Sequence, residues 1–122
     1  MKVLLEKVPN ATLVIPQGRL DFGAAGQFQQ QLEQAVAGAA GGPKAVVVDC
    51  AALDYVSSAG LRAFLQAARA SQRAGIVFAL STLQPAVREV FELSGFARMI
   101  PIHADRAAAL AKAAPQKPPD EQ

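Results

Sequence analysis

The sequence predicts an α/β domain, a mainly parallel sheet flanked by helices and opened by an antiparallel hairpin. Three observations carry that prediction. Ala45-Val46-Val47-Val48-Asp49 and Ile76-Val77-Phe78-Ala79-Leu80 are almost unbroken runs of apolar, strand-forming residues, the pattern of strands covered on both faces. Around them lie segments whose apolar residues recur at helical spacing. The two kinds alternate along the chain, as strands joined by helical crossovers do.

The elements follow in order. Val3 to Val8 and Ala11 to Pro16 are short apolar runs separated by Pro9-Asn10, a turn pair. They predict a hairpin whose second strand, Thr12-Leu13-Val14-Ile15, is the more buried. Gly18-Arg19-Leu20-Asp21 leads out of it. From Ala24 to Ala39 the positions Ala25, Phe28, Leu32 and Val36 form one apolar stripe, with Gln27, Gln29, Gln30, Glu33 and Gln34 on the other faces; this is an amphipathic helix. Gly38, Gly41, Gly42 and Pro43 end it. After the central strand 45–49, a helix is predicted from Ser58 to Ala74, with Leu61, Phe64, Leu65 and Ala68 inward and Gly75 as its stop. The strand 76–80 leads to Pro85, suited to a first helical turn, and Val87, Val90 and Phe91 give that helix its apolar face. Met99-Ile100-Pro101-Ile102 predicts a short strand, placed at a sheet edge by its proline. Asp105 to Ala113 is an alanine-rich last helix. The order is β-β-α-β-α-β-α-β-α, one domain over residues 1–113. Residues 114–122 hold three prolines, alternating charge and no large apolar side chain, the composition of a disordered tail.

Composition removes several function classes. A length of 122 residues suits one domain, and 52% hydrophobic residues suffice for a core. The net charge is +2, with Lys and Arg scattered, too weak a field to argue for nucleic acid. No apolar run reaches the roughly 18 residues of a membrane span. Glu6 and Lys7 interrupt the apolar N-terminal stretch, which therefore lacks a signal peptide's core. The one cysteine, Cys50, has no metal-ligand spacing around it and fits a reducing cytoplasm.

No catalytic constellation emerges. The one histidine, His103, reads as a surface or packing residue, and Cys50 as a small buried thiol. There is no Gly-x-Ser-x-Gly elbow, Walker loop or Gly-x-Gly-x-x-Gly. Asp21, Asp49 and Asp54 fall at or just beyond strand ends, where an open α/β sheet places its crevice. A receiver-type phosphoacceptor aspartate would need two further acids after the first strand and a lysine after the last. Lys7-Val8-Pro9 and Ile102-His103 stand there instead. Asp49 and Asp54 suit turn chemistry, while Asp21 should face the same loop cluster as Ser57 and Ser58. Those two serines stand where a helix begins. One hydroxyl can cap it; a second, followed by the small residues Ala59-Gly60, is spare, and a helix start favours an anion.

Four stretches then lift the sequence above a generic α/β domain: Gly18-Arg19-Leu20-Asp21, Val46-Val47-Val48-Asp49, Leu53 through Leu61, and Pro85 through Gly95. In order, they resemble the STAS domain family, in particular the bacterial anti-sigma-factor antagonists, over about residues 3–113. The resemblance implies a four- or five-stranded, mostly parallel mixed sheet flanked by about four helices. It implies a non-enzymatic partner switch without cofactor or metal. The unphosphorylated antagonist binds an anti-sigma factor that is also a serine kinase, phosphorylation releases it, and a PP2C-type phosphatase reverses the step. The phosphoacceptor, two residues before the family's Gly-Leu, is Ser58, with Ser57 second. The partner surface would comprise Asp21, Ser57, Ser58, Ala59, Gly60 and Arg62. The chain departs from the family in two places: Ser57 stands where many members have aspartate, and Ala59 where many have Ser or Thr. Some members are not phosphorylated at all. The alternative is therefore a constitutively docked STAS subunit of a transport or signalling assembly. A ligand-binding enzyme is weaker still. A monomer, with no direct contact to nucleic acid or membrane, is the expected form.

Overall fold

In the computed structural model, the described residues, 1–113, form one mixed sheet with helices on both faces. The expected tail, 114–122, lies outside the described residues. In chain order the elements are β1 (Lys2–Val8), β2 (Ala11–Leu20), α1 (Phe22–Ala40), β3 (Ala45–Asp49), β4 (Leu53–Val56), α2 (Ser58–Ala74), β5 (Val77–Ser81), α3 (Pro85–Leu93), a 3-10 turn (Phe96–Arg98), β6 (Ile102–His103) and α4 (Arg106–Ala113). The sheet runs β1-β2-β3-β5-β6, and β4 pairs with the far end of β2. Only β1 is antiparallel to its neighbour.

The long β2 organises this sheet. Its first half pairs with β3, Thr12 to Val14 against Val46 to Val48. Its second half pairs with β4, Gly18 to Leu20 against Leu53 to Val56, across a register shift at Gly18-Arg19. Gly18 takes a φ of 99° there, which a residue with a Cβ adopts at a cost. Pro16 lies between the two pairings, so its missing N–H removes no ladder bond.

The central strands match the expectation. All five residues of β3 are buried, as are four of five in β5. On one face, α1, α2 and α3 cover Val14, Val46, Val48 and Leu80. Phe28, Phe64 and Phe91 link these helices by edge-to-face contacts, with centroids 5.1 and 5.2 Å apart, a favoured aromatic geometry. On the other face, α4 covers Leu13, Ile15 and Val47 through Ala109 and Ala113. Arg106 fixes the start of α4: its Nε and Nη2 both donate to Asp49 Oδ2 at 2.8 Å, while Asp49 Oδ1 accepts from Ala51 N–H at 3.1 Å. The turn chemistry expected of Asp49 is thus present, joined by an ion pair.

Four local readings change. Leu53–Val56 is a strand, so the sheet gains a sixth strand and Asp54 lies within it rather than in a turn. The second strand continues past Pro16 to Leu20. The last strand shrinks to two residues, because residues 96–98 turn in 3-10 form; it remains at the sheet edge. The buried stripe of α2 is Gly60, Ala63, Phe64, Ala67 and Ser71, with Leu61, Leu65 and Ala68 half-buried.

Cys50 is fully buried, and its thiol donates weakly to Val48 C=O at 3.6 Å. Burial pushes its pKa far above the ordinary 9.0, and the neighbouring Asp49 carboxylate adds in the same direction. The folded protein therefore holds this proton when the unfolded chain has lost it. This contribution to stability is complete well below pH 9 and is lost as pH rises through and above 9, by up to roughly 1.4 kcal/mol per pH unit. Urea unfolding of the wild type and Cys50→Ala on both sides of pH 9 should show the steeper alkaline loss in the wild type. Equal slopes would show that this thiol contributes nothing to the pH dependence.

Candidate functional site

The ends of β2 and β4 lie side by side and launch α1 and α2. Leu20 pairs with Val56, and the carbonyl of Leu20 accepts the N–H of Ser57 at 2.9 Å. Asp21 then caps α1, its Oδ1 accepting from Ala24 N–H at 3.0 Å. Ser57 caps α2, its Oγ accepting from Gly60 N–H at 3.1 Å. Adjacent parallel strands thus present two capped helix starts together, and Asp21 shares the loop cluster of the serines as expected.

The two serines have different surroundings. Ser57 is half-buried, with its oxygen committed to the cap. Ser58 is the first residue of α2; it is exposed, and no hydrogen bond holds its hydroxyl among the described residues. The N–H groups of Ser58 and Ala59 also lack protein acceptors among the described residues. No acid occupies the first turn of α2. Arg62, exposed and four residues on, lies on the same helix face as Ser58. The positive end of the helix dipole, free donors and a nearby guanidinium therefore all favour an anion at Ser58.

Gly60 is buried, and its part in this site is close approach. A Cβ added there would fall 2.7 Å from Leu20 Cγ and 2.8 Å from Cδ2. Leu20 is itself fully buried, so any side chain at position 60 would push the start of α2 off β2. Ala59 is half-buried beside it.

Three neighbouring features leave no mark in the sequence. Arg19 and Tyr55, paired across β2 and β4, stack with the guanidinium 4.2 Å from the ring centroid. Gln84 donates to Ala51 C=O at 2.9 Å and to Asp54 Oδ1 at 3.2 Å, tying the start of α3 to the β3–β4 loop and to β4. Phe22, in the first turn of α1, is 83% exposed. Exposure is what makes Phe22 conspicuous, and a lone Phe in a sequence gives no sign of it.

Among the described residues no group of three or more His, Cys, Asp or Glu could hold a metal ion, and no helix is long and apolar enough to cross a membrane.

The family model for the STAS domain matches residues 2–109. The chain belongs to the STAS domain family. Its similarity to the anti-sigma factor antagonists within that family is direct. It is 37% identical over 111 residues to BtrV of Bordetella bronchiseptica, a candidate anti-sigma factor antagonist, covering 91% of this chain and 93% of that protein. Solved structures share the fold. An anti-sigma factor antagonist from Mycobacterium paratuberculosis superposes with a TM-score of 0.82 at 23% identity, covering 92% of each chain. The Bacillus cell fate determinant SpoIIAA in its phosphorylated form gives 0.69 at 20% identity, over 91% of this chain and 98% of that one.

The division of labour between the serines has a direct consequence for stability. Ser57→Ala removes the cap and should lower unfolding free energy by about 1 kcal/mol. Ser58→Ala should leave it within a few tenths of that of the wild type. Thermal or urea unfolding of the two variants measures both, and a reversed order would assign the cap to the other hydroxyl.

Proposed function

We propose that this chain is an anti-sigma factor antagonist that switches partners through phosphorylation of Ser58. Unphosphorylated, it binds an anti-sigma factor that is also a serine kinase, and a sigma factor is freed. The kinase transfers phosphate to Ser58 and the complex separates; a PP2C-type phosphatase restores the binding form. The chain acts by binding rather than by catalysis, in the cytoplasm. One observation carries the choice of acceptor. Of two adjacent serines at the start of α2, Ser57 holds the cap, while Ser58 is exposed and its hydroxyl has no such task.

The contact surface proposed is the pair of helix starts: Asp21, Ser57, Ser58, Ala59 and Arg62, with Gly60 contributing through the close packing that sets the surface's shape. Phosphoserine adds about −1.5 to −2 charges. On the free chain the helix start accommodates that charge. Inside an interface the same group must be desolvated and meets Asp21 and any acid of the partner. Like charges brought together across an interface cost several kcal/mol. Reversing occupancy from 99:1 to 1:99 takes about 5.5 kcal/mol, so a single phosphate suffices only if it falls within the contact. The phosphorylated form of SpoIIAA, which shares this fold, supports the reading.

Incubation with the cognate kinase and ATP, followed by mass spectrometry, tests the acceptor. One phosphate per chain is expected on the wild type and on Ser57→Ala, and none on Ser58→Ala. Full incorporation into Ser58→Ala would move the acceptor elsewhere. No incorporation into the wild type would favour a constitutively docked subunit.

A further inference from the structure

The two edges of the sheet differ. At one, β6 is only two residues long. At the other, β1 runs for seven residues, Lys2–Val8, and pairs only with β2 among the described residues. Such an edge is a row of N–H and C=O groups able to receive another strand. The two-residue turn Pro9-Asn10 closes on the pair Val8 and Ala11, which fixes the alternation along β1. Its even-numbered residues exchange hydrogen bonds with β2. Val3, Leu5 and Lys7 turn their backbone groups to the free side. Leu4 and Leu5 remain 37% and 51% exposed on this edge.

The charges along the edge have a symmetry. Lys2, Leu4 and Glu6 lie on one face of the strand, with Lys2 and Glu6 equally spaced about Leu4 and both exposed. We propose that β1 pairs antiparallel with β1 of a second copy of this chain, about a two-fold axis at Leu4. In that register each Lys2 stands opposite the other copy's Glu6, and the two Leu4 side chains meet. Val3 and Leu5 exchange backbone hydrogen bonds with Leu5 and Val3 of the other copy. The neighbouring symmetric registers, centred on Val3 or on Leu5, oppose Lys2 with Leu4 or with Val8 and form neither ion pair. Charges that merely guard an edge would repel a second copy of themselves; these are complementary to it. A two-fold contact of this kind uses the same patch twice and closes at the dimer.

This edge lies on the side of β2 opposite to β4, and only its end at Met1 and Val3 comes near Asp21 and Gly23 at the start of α1. The pairing therefore stands whether or not Ser58 is a switch. The expected monomer becomes the dilute form of a concentration-dependent dimer.

Sedimentation velocity across a wide concentration range tests this. The wild-type mass should rise from 12.7 kDa towards twice that value. Lys2→Glu and Glu6→Lys should each stay at monomer mass with unchanged thermal unfolding. An equimolar mixture of the two should dimerise, since each supplies the charge the other lacks, and the double variant Lys2→Glu/Glu6→Lys should dimerise alone. A wild type that stays monomeric throughout overturns the proposal. So does a dimer that survives either single substitution, or a mixture that fails to regain it.

Discussion

The site depends on how closely α2 approaches the end of β2. The carbonyl of Leu20 takes the N–H of Ser57, and Gly60 sits against the Leu20 side chain where no Cβ would fit. The first contact extends the β2–β4 pairing into the helix start; the second lets the helix lie directly on the strand. Together they fix the residue at which α2 begins. That in turn decides which serine caps and which is left free. Interiors packed at this density do not yield to an added methyl group without displacing their neighbours. The position of Ser58 is therefore a consequence of core packing two residues away.

The same constraint sets the electrostatic surroundings of Ser58. Helix starts concentrate unpaired N–H groups, and Ser58 and Ala59 retain theirs. The first turn of α2 contains no acid, and Arg62 follows one turn later. A phosphate on Ser58 would meet a favourable local field in the free chain and an unfavourable one against an acidic partner surface. In the proposed function, the asymmetry between those two settings would turn a covalent mark into a switch of partners without any change in the domain itself.

Strands β3 and β5 are legible in the sequence because an uninterrupted apolar run of that length, rich in β-branched residues, suits a buried strand and little else. The stripe of α1 is legible because Phe28, Leu32 and Val36 are large enough to mark a face. The stripe of α2 is displaced from its expected position because its inward residues are mostly Gly60, Ala63, Ala67 and Ser71, which carry little hydropathic signal, while the larger Leu61 and Leu65 flank them. Strand β4 is hidden for a related reason: only Leu53 and Val56 are buried, Asp54 and Tyr55 between them are exposed, and its partner lies more than thirty residues away. At the site, residue types and spacing narrow attention to Ser57 and Ser58, and the resemblance to the STAS family singles out Ser58. Spacing alone does not separate them, because helix boundaries are uncertain by a residue or two. The role of Gly60 is invisible until its neighbour Leu20 is known.

In the proposed switch, phosphate on Ser58 alters partner binding while leaving the fold intact. The most direct measurement takes one preparation, phosphorylated stoichiometrically at Ser58, and determines its unfolding free energy and its affinity for the cognate anti-sigma factor beside those of the unmodified chain. Unfolding free energies within about 1 kcal/mol of each other, with affinity lowered at least a hundredfold, are the expected result. Unchanged affinity, or a loss of affinity accompanied by a comparable loss of stability, would contradict it.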